Sequence, residues 1–164
     1  MQNEFCELAK RIGIALEEYG FMLATAESCT GGQVAQVITS VSGSASWFER
    51  GFVTYSNLAK QEMLAVKAET LGKYGAVSEE TAREMAEGAL NHSHADVAVA
   101  VTGIAGPTGG TKNKPVGTVC FAWSQKGQKT STSTQHFQDD RLNIRNQATR
   151  YLLATLIDFV NPPR

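Results

Sequence analysis

The spacing of apolar residues changes period along the chain, and each change marks an element. Phe5, Leu8, Ala9, Ile12, Leu16 and Tyr19 recur at steps of three and four, which predicts an amphipathic helix over 3–19. Gly20 follows where a left-handed C-terminal cap belongs. The apolar run FMLATA at 21–26 has the length of a buried strand. Helical spacing resumes over 30–40 through Val34, Val37 and Ile38, and 42–50 reads as a loop with a short helical turn. GFVTYS at 51–56 alternates and is rich in β-branched and aromatic residues, so it predicts a strand. Ser56 or Asn57 can cap the next helix, NLAKQEMLA, and a further short helical piece ends at Gly75. Ser78 opens a stronger helix to about residue 92, with Glu79 and Glu80 in the first turn, where they suit the macrodipole.

The second half reads differently. ADVAVAVTG at 95–103 is an unbroken Val/Ala run, the mark of a strand covered on both faces. A Gly/Pro-rich loop fills 103–117, and loops of that length inside a compact domain are functional or disordered. TVCFAWSQ at 118–125 predicts a strand, and 129–137 its hairpin partner across Gly127, polar enough for a sheet edge. Residues 140–160 form a last helix with a wide apolar face, which NPPR cannot continue. Strands alternating with helices, then a hairpin, predict a three-layer α/β/α sandwich with a mixed, partly parallel sheet. With 164 residues and no internal linker, one domain over 1–164 is expected.

Composition narrows the partners. The formal net charge is −1 and no Lys/Arg block occurs, which argues against nucleic acid as a partner. The short KNK at 112–114 sits among Gly, Thr and Pro as a solvated loop. No apolar run is long enough to span a bilayer, and the first helix is acidic and amphipathic rather than a secretion signal, so a cytoplasmic protein is expected. Cys6, Cys29 and Cys120 have irregular spacing and no CxxC pair, so neither a zinc site nor a disulfide framework is expected.

Candidate chemistry gathers at strand ends. Ser28 follows the first strand, Tyr55 and Ser56 end the second, and Thr102 ends the third. Ligands of open α/β sheets bind beyond the carboxyl ends of parallel strands, so parallel pairing would bring these groups to one crevice. In ESCTGG, Ser28 or Thr30 can cap a helix while Gly31 and Gly32 make a tight turn. Equally, the glycines can expose backbone N–H groups beside a nucleophilic hydroxyl. His92 and His94 lie at the far end of a helix and His136 in the outer hairpin strand, so no Ser-His-Asp arrangement is supported. Lys60, one turn into the helix after TYSN, can lean back toward the crevice as a base if burial lowers its pKa; otherwise it is a solvated surface lysine. Cys29 is expected to face the core.

TAESCTGG, RGFVTYSNLAK, GAVS and VTGIAGPTGG…KPVGTV, in that order and spacing, resemble the CinA C-terminal domain family over nearly the whole chain. The resemblance implies a serine amidohydrolase that converts nicotinamide mononucleotide to nicotinate mononucleotide and ammonia with a Ser/Lys pair, in pyridine nucleotide salvage, and that calls for no metal or organic cofactor. On the matching motifs, the family's nucleophile falls on Ser28, its lysine on Lys60, a supporting tyrosine on Tyr55 and a supporting threonine on Thr102. The implied substrate contacts are backbone groups of Thr30, Gly31 and Gly32, which would hold the oxyanion with help from the Thr102–Gly103 turn. The long loop, with Gly103, Gly106 and Gly109, would approach the ribose phosphate or close over the pyridine ring, and Arg141 would contact the phosphate. Relatives often read GDR before the last helix; here Asp139 replaces that glycine. A homo-oligomer is expected. The alternative class is a nucleotide-binding module that uses the same crevice without chemistry.

Overall fold

The computed structural model describes residues 1–164. Five strands form one sheet in the order β2-β1-β3-β4-β5. They are β1 (Leu23–Glu27), β2 (Phe48–Val53), β3 (Val97–Gly103), β4 (Thr118–Gln125) and β5 (Ser131–His136). β1 pairs in parallel with both β2 and β3, whereas β4 runs antiparallel to β3 and to β5. The helices are α1 (Gln2–Tyr19), α2 (Gln33–Thr39), α3 (Asn57–Leu64), α4 (Ala68–Tyr74), α5 (Glu79–Asn91) and α6 (Arg141–Val160). α1, α2 and α6 cover one face of the sheet; α3, α4 and α5 cover the other. This is the sandwich with a mixed, partly parallel sheet that the pattern predicts. No helix is long and apolar enough to cross a membrane.

Most element bounds match the sequence reading within two residues, and the predicted caps form. Gly20 closes α1 at φ 66, and the hydroxyls of Ser56 and Ser78 accept from Ala59 N–H and Thr81 N–H. β2 departs most: it runs Phe48–Val53, three residues earlier than the predicted 51–56. It is an edge strand that pairs only with β1, so no second neighbour enforces a clean alternation of burial. Tyr55 and Ser56 therefore lie past the strand, in the turn to α3.

The two faces of the sheet differ in thickness. Val97, Val99, Val101, Val119, Phe121 and Trp123 pack under α1 and α6. Burying each such side chain contributes about 1.5–3 kcal/mol. The opposite face is a floor of alanines, Ala24, Ala26, Ala98, Ala100 and Ala122, under α5. Small side chains on both sides bring α5 close to the sheet. α5 also presses against α3: a Cβ at Gly88 would lie 2.0 Å from the Leu64 carbonyl oxygen, so only glycine fits there.

Asp139 has φ 127, a region that favours glycine. Its carboxylate accepts from Asp140 N–H at 2.7 Å, and Asp140 caps α6 by accepting from Asn143 N–H. Asp139→Gly should relieve roughly 1 kcal/mol of backbone strain and raise the melting temperature by about 2–4 °C. Thermal unfolding checks this; an unchanged or lower midpoint would mean that aspartate sits there without strain.

Candidate active site

Ser28 stands where β1 ends. Its N–H donates to Val101 O of β3 at 3.0 Å, and its carbonyl accepts from Gly31 N–H at 3.0 Å. Gly31 and Gly32 both have positive φ, 59 and 104, so the turn itself requires them. Neither Ser28 nor Thr30 caps the following helix. That role belongs to Glu27, whose side chain is 1% exposed. Its Oε1 accepts from Thr30 Oγ1 (2.6 Å), Gly32 N–H (3.2 Å) and Val34 N–H (2.9 Å), and its Oε2 from Ala35 N–H (3.1 Å). A carboxylate at the positive end of α2 is electrostatically favoured, and this one ties the turn that carries Ser28 to the helix.

Lys60 comes from α3, which Ser56 caps one turn earlier. Its side chain leans toward the helix start and is 1% exposed. Nζ lies 3.0 Å from Ser28 Oγ, 3.0 Å from Thr54 O and 3.3 Å from Tyr55 O. Burial lowers the pKa of this amine, and only a weaker interaction with Cys29 opposes the shift. A neutral amine has two N–H donors and one lone pair. When the two carbonyls take the donors, the lone pair is left for the Ser28 hydroxyl.

A cavity of about 190 Å³ opens at this pair, lined among others by Ser28, Cys29, Tyr55, Lys60, Thr102 and Arg141. Burial pushes the Cys29 thiol up to about 12, which keeps it protonated, and its side chain joins the core as expected. No group of three or more His, Cys, Asp or Glu residues is arranged to hold a metal ion.

The serine-lysine contact is a local geometry; comparison with known proteins places the chain as a whole. Residues 6–160 match the family model described as the CinA C-terminal domain. The chain belongs to the CinA C-terminal domain family. It is 53% identical over 154 residues to the nicotinamide-nucleotide amidohydrolase PncC of Escherichia coli K12, covering 94% of this chain and 93% of that protein. It is 50% identical over 151 residues to a CinA-like protein of Akkermansia muciniphila, covering 92% of this chain but 36% of that longer protein. Among solved structures, the competence/damage inducible protein CihA of Agrobacterium tumefaciens superposes with a TM-score of 0.92 at 46% identity, covering 96% of each chain. The competence damage-inducible protein A of Klebsiella pneumoniae gives 0.93 at 41% identity, covering 98% of this chain and 99% of that one.

Within this CinA domain the sequence-predicted residues divide. Ser28, Lys60, Tyr55, Thr102, Gly103 and Arg141 line one cavity. Tyr55 is 62% exposed; its carbonyl meets Lys60, while its hydroxyl accepts from Arg141 Nη2 at 3.0 Å. The Thr102 hydroxyl donates to Ala76 O at 2.8 Å and touches neither Ser28 nor Lys60. Gly106 is buried, and its carbonyl accepts from Arg141 Nη1 at 2.8 Å. Gly109 lies in the exposed stretch of the loop, away from the cavity. Thr30, Gly31 and Gly32 line a neighbouring hollow of about 350 Å³ with Arg145. The N–H groups of Gly31 and Gly32 are occupied by Ser28 O and Glu27, which corrects the expectation that they serve an oxyanion. The N–H groups of Cys29 and Thr30 donate to no other residue of the chain. Sequence reading missed Glu27 and Arg145. An acidic residue six positions before a helix start is a signal that could have found Glu27; Arg145 carries no local signal.

Proposed function

We propose that this CinA domain hydrolyses the carboxamide of nicotinamide mononucleotide, giving nicotinate mononucleotide and ammonia for pyridine nucleotide salvage. One observation carries the chemistry: a buried amine with a lowered pKa lies 3.0 Å from the Ser28 hydroxyl at the wall of a cavity. The substrate is carried over from relatives named for nicotinamide-nucleotide hydrolysis, which align over nearly the full length.

Neutral Lys60 takes the Ser28 proton as Oγ attacks the carboxamide carbon. The oxyanion is received by the N–H groups of Cys29 and Thr30. The protonated Lys60 amine then gives its proton to the departing nitrogen, the C–N bond breaks, and ammonia leaves a nicotinoyl ester on Ser28. Water attacks that ester with Lys60 again as base, the ester bond breaks, and the proton returns to Oγ. Tyr55 and Thr54 aim the amine through their carbonyls. Thr102 holds the Ala76 wall in place.

The cavity is smaller than the roughly 300 Å³ at which ligand pockets begin, so it takes the pyridine carboxamide and leaves the ribose phosphate outside. Arg141 stands at that mouth with no carboxylate partner and supplies the charge for the phosphate. Incubation with nicotinamide mononucleotide should release ammonia and nicotinate mononucleotide in equal amounts. Thermal stabilisation by the nucleotide without ammonia would leave only a binding module.

A further inference from the structure

The turn that presents Ser28 is gripped by a cation that no acid-base step uses. Arg145 of α6 is partly buried. Its Nε donates to Cys29 O and its Nη2 to Thr30 O, each at 3.1 Å. The two ion pairs of the chain, Arg50–Glu49 and Arg150–Glu4, leave it without a carboxylate. A partly desolvated guanidinium is therefore committed to two peptide carbonyls, and charge-assisted bonds of this kind are about twice as strong as neutral ones.

The consequence lies on the other edge of the peptide. A trans peptide carries its C=O and N–H on opposite edges. Gly106–Pro107 is the one cis bond of the chain, so the Cys29–Thr30 link is trans. Cys29 lines the Ser28 cavity, whereas Thr30 and Arg145 line the adjoining hollow. The peptide between them is a partition whose carbonyl edge is turned to Arg145 and whose N–H edge is turned the other way. A cation on the carbonyl draws electron density from the N–H and strengthens it as a donor. Glu27 holds the same turn independently, accepting from the Thr30 hydroxyl and the Gly32 N–H. Glu27 and Arg145 thus hold the turn from two elements, and the Cys29 and Thr30 N–H groups donate to no other residue.

We propose that Arg145 is a positioning residue for the amidase reaction: it fixes and polarises the 29–30 peptide so that the Thr30 N–H, beside that of Cys29, receives the oxyanion. This rests on Ser28 being the nucleophile. It separates Arg145 from Arg141, which meets Gly106 and Tyr55 at the cavity mouth.

The test compares the full chain with Arg145→Ala and Arg145→Lys in steady-state ammonia release from nicotinamide mononucleotide, with thermal unfolding alongside. Loss of an oxyanion donor costs about 10²–10³-fold in kcat, and KM should stay within about threefold in Arg145→Ala. Lysine should rescue poorly, because a point charge cannot bridge two carbonyls. Guanidinium ion at millimolar concentration, admitted through the hollow, should restore kcat in Arg145→Ala at least about tenfold toward the level that the donor supplies. A KM rise with kcat intact would make Arg145 a phosphate ligand and overturn the proposal. A fall in kcat that tracks a lower melting temperature and resists guanidinium would make it a fold residue and overturn the proposal equally. If the wild type releases no ammonia, the amidase reading fails and this proposal with it; an active wild type with an indifferent Arg145→Ala removes the proposal alone.

Discussion

Replacing Ser28 with alanine should lower kcat for ammonia release by about 10⁴–10⁶-fold and leave the fold intact. The hydroxyl has one partner, Lys60 Nζ, so its loss costs about 1 kcal/mol of stability. The backbone bonds that place residue 28, to Val101 and Gly31, need no side chain. Lys60 keeps the carbonyls of Thr54 and Tyr55. Cys29 cannot substitute, because its buried thiol titrates only at about 12. The nucleotide should still raise the melting temperature of the variant, which separates lost chemistry from lost binding. Substantial turnover by Ser28→Ala would remove the nucleophile from the mechanism.

Lys60→Met should lower kcat by about 10²–10⁴-fold, the usual contribution of a positioned base. Methionine matches the length of the buried stem and is at home in an apolar site. The wild-type pH profile should carry the signature of this amine. Burial lowers its pKa from an ordinary value of 10.5, and the reaction needs the neutral form, so kcat/KM should rise with pH through the lowered value and then level off. Stability follows the same sign. Between the folded value and 10.5 the unfolded chain holds a proton that the folded chain does not. The contribution is therefore complete above 10.5 and is lost as pH falls to the folded value. Urea midpoints across that window should climb with pH in the wild type and lose this component in Lys60→Met. Identical slopes in both proteins would show that Lys60 is charged in the folded state.

Periodicity made most of the fold legible because the elements differ in how they are buried. The 97–103 run, covered on both faces, reads as a strand from its Val/Ala content alone. α1 and α5 each show one apolar stripe. β2 was harder: one hydrogen-bonded neighbour and partial exposure blur its alternation, and its start shifted by three residues. Chain order placed Ser28, Tyr55 and Thr102 at the ends of three strands, and the parallel pairing of β2, β1 and β3 brings them to one end of the sheet. Exposure could not be read in the same way. A lysine between Ala59 and Gln61 looks solvated until tertiary packing closes over it. The clamp on the turn after Ser28 was the least accessible. Arg145 meets Thr30 across 115 positions, and nothing near either residue announces the other. Glu27 was visible as an acidic residue, but its four bonds depend on the sharp return of the chain through two glycines.

The alanine floor has a reach beyond packing. α5 rests on it, and Ala76 and Val77, just ahead of the Ser78 cap, form part of the cavity wall. Thr102 is tied to that same wall through Ala76 O. The clearance between α5 and the sheet is thus also the gauge of the opening beside Ser28. A single extra methylene under the helix, at Ala98 or Ala100, would act as a shim, widening the opening without touching any group that takes part in the reaction. The width of the cavity beside Ser28 is set in part from beneath, by alanines that never reach it.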